Sequence, residues 1–253
     1  MGKADALRLG MDAIRVTART KRPVPTGTAQ FDHEGLRPTL GTLAREGLSG
    51  VAEHTVDLTR YLASVGSADP DGLSRDEALA FWINVYNACA IKLAVEAYRR
   101  GEWTVLRVPG VFSRAELEVA GERLSLNAIE HGKVRRFGDP RIHAALVCGS
   151  LSCPTLRPEP YDGDTIADTL ELQMTSFVAN GGALAGDDDE VLLSRIFLWY
   201  GPDFVRPARM PSFVPVSVRR TVKALSPWLP ESLRERTEVR FQTYDWRLAC
   251  EVG

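Results

Sequence analysis

The chain has 253 residues, of which 44% are hydrophobic and 25% charged, and its formal net charge is −2 at pH 7. This length and composition are typical of a globular protein with a large core, and the near-neutral charge argues against a general nucleic-acid binder. No apolar segment is expected to reach the length of a membrane span, the N-terminus lacks the apolar core of a secretory signal, and four irregularly spaced cysteines do not indicate a disulfide framework. We therefore expect a cytoplasmic protein with reduced thiols and with neither nucleic acid nor membrane as a partner.

The N-terminal region is predicted to be helical. Residues 3–20 carry apolar side chains at helical spacing, which are Leu7, Met11, Ile14 and Ala18. Two prolines and a glycine within residues 22–30 end this pattern. A second helical zone follows over residues 39–64, with an interruption at 47–50.

The next helix, at about residues 75–100, is apolar nearly all round, which is typical of a helix buried in the middle of its domain. Ser74 followed by Glu77 has the spacing of a capping box that opens it. Asn84 and Asn87 are three residues apart and share a face. Because a buried amide is costly when unpaired, these two either brace neighbouring backbone or line a site.

Shorter patterns predict the remaining elements. In chain order these are a β-hairpin around Ala120-Gly121, a helix at 126–136, a buried strand at 142–147, a helix capped by Asp164, a helix at 216–226 and a strand at 239–244. The mixture predicts an α+β fold, as a single globular domain with a buried central helix, a small mostly antiparallel sheet and an N-terminal helical region. We expect residues 1–45 to be an N-terminal helical extension and residues 46–253 to be the α+β domain.

Residues 143–153 are the strongest candidate for a functional site. They hold one of the four histidines and two of the four cysteines within eleven positions. The apolar run 142–147 leads directly into a loop rich in glycine and serine. A buried strand that delivers reactive groups to a loop at its end is a common way to build a site.

Five motifs in a fixed order point to a known family. They are 81–88 (FWINVYNA), 124–132 (LSLNAIEHG), the cysteine-containing stretch 139–157, 193–200 (LSRIFLWY) and 244–246 (YDW). Together they resemble the family known as domain of unknown function 547, over about residues 50–250. The resemblance implies a fold and a location for the site rather than a reaction. By analogy it suggests a relation to papain-like and transglutaminase-like cysteine enzymes.

Our leading hypothesis is a cysteine-dependent enzyme, a hydrolase or an acyl or amide transferase. A cysteine nucleophile needs a partner that takes its proton, normally a histidine, and a third group that orients the imidazole. His143 is the predicted base and His131 the reserve. Glu130, Asn84 or Asn87 is expected to orient the imidazole.

The choice of nucleophile depends on the geometry of the predicted strand. In an extended chain, His143 and Cys148 point to opposite faces, whereas Cys153 lies beyond a turn. The proline after Cys153 favours a helical turn whose free N–H groups would lower the pKa of that thiol. We therefore favour Cys153 slightly over Cys148, although either thiol can equally be an inert buried side chain. Cys89 and Cys250 are expected to be structural.

The second hypothesis is a non-catalytic binding or scaffold module for an anionic ligand or peptide. Arg141 and Arg157, together with the loop 149–152, are suited to hold a carboxylate or an amide of a small molecule or peptide. In an enzyme the same groups would position the substrate. The candidate substrate-binding residues are Asn87, His131, Arg141, Ser150, Ser152 and Arg157.

The third hypothesis is a zinc site. Its ligands would be His131, His143, Cys148 and Cys153, whose residue types suit zinc. The two histidines do not form a compact pair, and strand geometry separates His143 from Cys148. We therefore predict no metal and no other cofactor.

The other charged and titratable residues are predicted to have structural roles. Arg195 lies in an aromatic and apolar segment, and we expect it to form a buried ion pair with Glu130 or Asp203. His33 and His54 are expected at the surface.

Overall fold

The computed structural model describes residues 3–187 and 189–253, with side chains from residue 11 onward. Its α-helices are α1 (Lys3–Arg19), α2 (Arg37–Glu53), α3 (Val56–Gly66), α4 (Arg75–Arg99), α5 (Ile166–Phe177), α6 (Arg195–Trp199), α7 (Gly201–Val205), α8 (Val218–Leu225) and α9 (Glu231–Arg234). Its β-strands are β1 (Ala115–Val119), β2 (Glu122–Ser125), β3 (Ala183–Ala185), β4 (Glu190–Leu193) and β5 (Glu238–Phe241). The predicted α+β class is confirmed.

Two small sheets accompany the helices. The hairpin β1–β2 is antiparallel, and its turn at Ala120 and Gly121 has positive φ at both residues, as expected for a tight hairpin. In the second sheet, β4 pairs antiparallel with β3 and parallel with β5. The prediction of a small, mostly antiparallel sheet is therefore confirmed.

Helix α4 is the centre of the main core, and its burial on all sides confirms the predicted central helix. Ser74 caps it as predicted, because its side chain accepts a hydrogen bond from the Glu77 N–H at 3.3 Å. The Glu77 carboxylate does not return to Ser74 as in a full capping box. It accepts instead from the N–H groups of Phe31 (3.2 Å) and Gly163 (3.0 Å), and so ties two distant loops to the helix.

By length and composition alone, α4 is also long and apolar enough to cross a membrane. The expectation that no apolar segment reaches that length was therefore wrong. In the structure, 94% of its most apolar window is buried inside the protein. That burial is the pattern of a core helix, which must be apolar on every side for the same physical reason as a membrane span.

Helix α1 packs on the face that the sequence pattern did not indicate. Met11, Ile14 and Ala18 are exposed, and the side chain of Leu7 lies outside the part of the chain whose side chains are described. The buried face instead includes Ala13 and Thr17, whose hydroxyl donates to the carbonyl of His131 at 3.3 Å. Small residues allow this close approach to the π-helical turn Ala128–Lys133, which falls in the predicted helix at 126–136.

The predicted strand at 142–147 was wrong. Pro140–Ala144 forms a 3₁₀ helix instead, and Asp139 caps it by accepting the N–H of Arg141 at 3.0 Å. A short buried apolar run satisfies either structure, and the proline at the first helical position favours the helix. The strand-face argument that separated His143 from Cys148 therefore does not apply.

Two further local predictions need correction. The cap near the start of α5 is Asp162, whose side chain accepts the N–H of Asp164 at 2.9 Å, rather than Asp164 itself. His33 is buried rather than at the surface, and its Nδ1 lies 2.7 Å from the Tyr61 hydroxyl. His54 is exposed, as expected.

Candidate functional site

The loop after the 3₁₀ helix Pro140–Ala144 brings Cys148 and Cys153 together. Gly149 adopts φ +82°, a left-handed conformation that favours glycine, and the N–H of Cys153 donates to the carbonyl of Ser150 at 3.0 Å to close the turn. The two Sγ atoms lie 2.7 Å apart, and both cysteines are free and half-buried. The sequence did predict that this loop carries the thiols, but not that they touch.

Two hydroxyl groups and a backbone N–H surround the sulfur of Cys153. Ser150 Oγ and the Tyr244 hydroxyl each lie 3.2 Å from it, and the N–H of Cys148 donates to it at 3.1 Å. Ser150 Oγ also donates to the Tyr244 hydroxyl at 2.9 Å. We call Cys148, Ser150, Cys153 and Tyr244 the thiol site.

Tyr244 reaches the thiol site from a distant segment of the chain. Ser152 and Asp245 hold that segment in place, because Ser152 Oγ accepts the N–H of Asp245 at 2.8 Å and the N–H of Ser152 donates to the carbonyl of Asp245 at 3.2 Å. The rings of Trp199 and Trp246 pack against the Tyr244 ring, with centroids 4.8 and 4.6 Å away. Sequence reasoning missed Tyr244 as a site residue, although its motif YDW was part of the family resemblance.

The two thiols differ in acidity. Burial by itself raises the pKa of Cys153, but its hydrogen bonds with Cys148, Ser150 and Tyr244 outweigh that effect and lower the pKa to about 6. The pKa of Cys148 is raised well above its ordinary value, first because it shares a hydrogen bond with Cys153 and second because it is buried. Burial also raises the pKa of Tyr244, so its hydroxyl keeps its proton. Cys153 is therefore the thiolate of the pair.

The predicted histidine base lies in a separate group of buried polar residues. We call this group the Asp203 cluster, and its members are Glu130, His131, Arg135, His143, Tyr200 and Asp203. His143 Nε2 lies 2.9 Å from Asp203 Oδ2, and the imidazole stacks on the Tyr200 ring at 3.9 Å. Among the described residues, neither cysteine of the thiol site has a hydrogen bond to a histidine. The role of His143 as base stays a prediction.

Within the Asp203 cluster, Arg135 and Asp203 form a buried ion pair. Arg135 donates to both carboxylate oxygens of Asp203, at 2.7 and 2.9 Å. Burial raises the pKa of Asp203, but the hydrogen bonds from His143 and Arg135 outweigh it and hold that pKa well below its usual range. Burial lowers the pKa of His131 to about 4, so its imidazole is neutral at neutral pH. Glu130 accepts the Tyr200 hydroxyl at 2.5 Å.

Asn84 and Asn87 both brace backbone. Asn84 donates to the carbonyl of Tyr161 (2.7 Å) and accepts its N–H (2.9 Å). Asn87 donates to the carbonyl of Ala145 (2.9 Å) and accepts the N–H of Val147 (3.0 Å), immediately before Cys148. Neither amide is hydrogen-bonded to an imidazole in the described structure. Asn87 therefore contributes to the thiol site by fixing the chain that enters its loop.

Arg141 and Arg157, the two arginines predicted to hold an anion, already have acidic neighbours. Arg141 forms ion pairs with Asp139 at 2.6 Å and with Glu171 at 3.1 Å. Arg157 lies 3.4 Å from the carboxylate of Glu159. Their charges are therefore largely neutralised within the protein.

A cleft of about 190 Å³ borders the thiol site. Its lining includes Cys153, Tyr244, Arg195 and a set of hydroxyl and amide side chains, which are Ser152, Thr155, Ser176, Asn180, Ser194, Gln242 and Thr243. The expected ion pair of Arg195 with Glu130 or Asp203 is wrong, because Glu130 binds Tyr200 and Asp203 binds Arg135 and His143. Arg195 is the only lysine or arginine of the cleft lining, and its buried Nε has no hydrogen-bond partner among the described residues.

The predicted zinc ligands are divided between the two groups. Cys148 and Cys153 lie in the thiol site, whereas His131 and His143 lie in the Asp203 cluster. Within residues 3–187 and 189–253, no group of three or more histidine, cysteine or acidic side chains has the geometry to hold a metal ion.

One known family matches part of this chain. Residues 70–178 match a family model described as "Protein of unknown function, DUF547". The resemblance to DUF547 is confirmed. The matched DUF547 segment contains α4, the β1–β2 hairpin and the loop with both thiols, whereas the resemblance was expected over about residues 50–250. Tyr244, Asp203 and Arg195 lie beyond the matched DUF547 segment. No curated protein and no solved structure matches the chain.

Proposed function

We propose that the protein is a cysteine-dependent enzyme, a hydrolase or an acyl or amide transferase, with Cys153 as its nucleophile. One observation carries the proposal: the Cys153 sulfur is surrounded by hydrogen-bond partners at the edge of a cleft, and its pKa is lowered to about 6. At pH 7 about nine in ten Cys153 side chains are then thiolates. A thiolate is the form that attacks carbonyl carbon.

In this proposal the neighbours of Cys153 replace a histidine base. The Tyr244 hydroxyl (3.2 Å) and the N–H of Cys148 (3.1 Å) stabilise the thiolate before substrate arrives. His143 and the other Asp203 cluster residues fix the fold around the thiol site. The roles that the sequence suggested for His143, His131 and Glu130 therefore become positioning roles.

The reaction proceeds in two halves. The Cys153 thiolate attacks the carbonyl carbon of an ester or amide, a C–S bond forms, and the bond to the leaving oxygen or nitrogen breaks. The leaving group takes a proton from water. The resulting hydroxide attacks the thioester carbon, a C–O bond forms, and the C–S bond breaks to return the thiolate. In a transferase, an amine or alcohol replaces water in the second half.

Alkylation of the full-length chain with iodoacetamide tests the proposal. We expect one reactive cysteine, Cys153, with a rate that rises through a midpoint near pH 6. Cys89 and Cys250, whose pKa values are raised to about 12 by burial, should stay unmodified in the folded protein. Peptide mapping by mass spectrometry identifies the modified residue.

Two variants complete that experiment. Cys153→Ser should remove both the fast alkylation and any turnover of a panel of activated esters and peptide amides. Cys148→Ser is the matched control, because it keeps a hydroxyl group next to the Cys153 sulfur and should keep fast alkylation. An alkylation midpoint near pH 9 in the wild type would contradict the proposal and favour a non-catalytic binding module.

A further inference from the structure

We propose that Arg195 binds a carboxylate of the ligand in the cleft bordered by Cys153, so that the preferred substrate is an acyl or amide compound with a nearby carboxylate. The identification of the ligand as a substrate rests on the proposed function, whereas the carboxylate site does not. Arg195 is the first residue of α6 and directly follows Ser194. Both residues line the cleft.

The side chain of Arg195 is half-buried, and one of its donors is buried without a partner. Its Nε is buried and has no hydrogen-bond partner, and its guanidinium takes part in no ion pair within the described residues. Leaving a buried donor unpaired is unfavourable, and more so for a charged group. The guanidinium of Arg135, by contrast, donates to both carboxylate oxygens of Asp203. The unpaired fork of Arg195 is therefore suited to an anion from outside the protein.

The rest of the cleft lining supports an anionic ligand. It contains no aspartate and no glutamate, so no carboxylate of the lining neutralises the guanidinium charge. Side chains such as Ser152, Asn180 and Gln242 add neutral hydrogen-bonding groups around that charge. One guanidinium matches the single negative charge of a carboxylate, whereas a phosphate monoester carries about −1.5 to −2 at pH 7.

The volume of the cleft limits the ligand. At about 190 Å³ it is smaller than the ~300–1,000 Å³ of pockets that hold drug-sized molecules. It therefore suits a short carboxylic acid or the carboxyl end of a peptide, with the rest of a longer molecule outside. Because Cys153 and Arg195 line the same cleft, a ligand held through its carboxylate lies in the same cleft as the thiol.

Two alkylating reagents of the same size test the pairing of Arg195 with Cys153. Iodoacetate carries a carboxylate, and iodoacetamide is its neutral analogue. In the wild type we expect iodoacetate to react with Cys153 faster, relative to iodoacetamide, than it reacts with a free thiol. Arg195→Gln should lower that rate ratio at least about tenfold, the loss expected for one charge-assisted pair. Arg195→Lys, which keeps the charge but lacks the planar fork, should fall between the two.

Arg209→Gln is the matched control, because Arg209 is exposed and lies outside the cleft. It should leave the rate ratio unchanged. The pH midpoint for iodoacetamide should be the same in Arg195→Gln as in the wild type, which would show that the lower rate ratio comes from recognition of the reagent and not from a changed thiol pKa. An unchanged rate ratio in Arg195→Gln would overturn the proposal.

Calorimetry with N-acetylglycine and N-acetylglycinamide tests the carboxylate site without any reaction. We expect N-acetylglycine to bind more tightly than its amide in the wild type and equally weakly in Arg195→Gln. This result would uphold the carboxylate site even if Cys153 proved unreactive, so the two proposals can fail separately. Inorganic phosphate binding as tightly as N-acetylglycine would overturn the assignment to a carboxylate.

Discussion

The thiol site and the Asp203 cluster are two groups of polar side chains that differ in how their ionisable groups are paired. In the Asp203 cluster, Asp203 is fully buried and its charge is satisfied by Arg135 and His143 within the protein. In the thiol site, Cys153 is half-buried, and its partners are neutral hydroxyl groups that stabilise its thiolate form.

The difference separates structural from chemical roles. Charges that are paired inside a protein are costly to disturb and offer nothing to a ligand. A group whose partners stabilise its ionised form, beside a cation with no partner, is prepared to react and to bind. In our proposal His143, the histidine that the sequence favoured as the base, belongs to the first kind, because its imidazole is hydrogen-bonded to Asp203.

The largest expected effect comes from breaking the ion pair of the Asp203 cluster. Asp203→Asn leaves the Arg135 guanidinium buried beside a neutral amide, and should lower the free energy of unfolding by about 3–5 kcal/mol. Urea unfolding at pH 7 measures this. Tyr244→Phe, at the thiol site, should cost no more than about 1–2 kcal/mol. Equal losses in the two variants would erase the distinction between the groups.

Acid should weaken the Asp203 cluster next. The pKa of His131 is lowered to about 4 in the folded protein, against about 6.5 when unfolded, so the unfolded chain binds more protons between these values. Stability is therefore complete above about pH 6.5 and falls as the pH drops towards 4, by about 2 kcal/mol at pH 5 for this histidine. The pKa of buried His33 is also lowered to about 4, and it should contribute a similar loss.

Urea unfolding at pH 7 and pH 5 checks the sign and the size of this effect. His131→Gln should remove about half of the loss between the two pH values. His54→Gln is the matched control, since His54 is exposed and should leave the loss unchanged. A wild-type protein that is equally stable at pH 5 and pH 7 would refute the neutral, buried state of these imidazoles.

The smallest effect is expected at the thiol site and concerns acidity rather than stability. Tyr244→Phe removes one hydrogen bond to the Cys153 sulfur and should raise the pKa of that thiol by about one unit. The iodoacetamide rate at pH 6 should then fall several-fold. Tyr98→Phe, at an exposed tyrosine, should leave the alkylation profile unchanged. A profile in Tyr244→Phe that coincides with the wild type would exclude Tyr244 from thiolate stabilisation.

Sequence patterns predicted the elements that local physics determines. The apolar helix α4, the hairpin at Ala120-Gly121 and the helical turns after it follow from periodicity and turn residues. The strand predicted at 142–147 was wrong, because a short buried apolar segment looks the same in a strand and in a helix. The sequence also located the loop with Cys148 and Cys153 through its scarce reactive residue types.

The rest of the site depends on contacts between distant residues. Tyr244 lies 91 positions from the cysteine it contacts, and Asp203 lies 60 positions from His143. No local pattern signals such pairs. The sequence also did not predict that Arg195 is unpaired, because an arginine in an aromatic segment looks the same whether or not it has an acidic partner.

The link between Ser152 and Asp245 has a consequence for the order in which the protein is made. The segment that brings Tyr244 to Cys153 leaves the ribosome 91 residues after the cysteine itself. Until that segment docks, Cys153 lacks one of its acidifying partners and behaves as a less reactive thiol. For the nucleophile that we propose, the pKa of Cys153 therefore reaches its folded value only after the segment with Tyr244 has been synthesised and has docked.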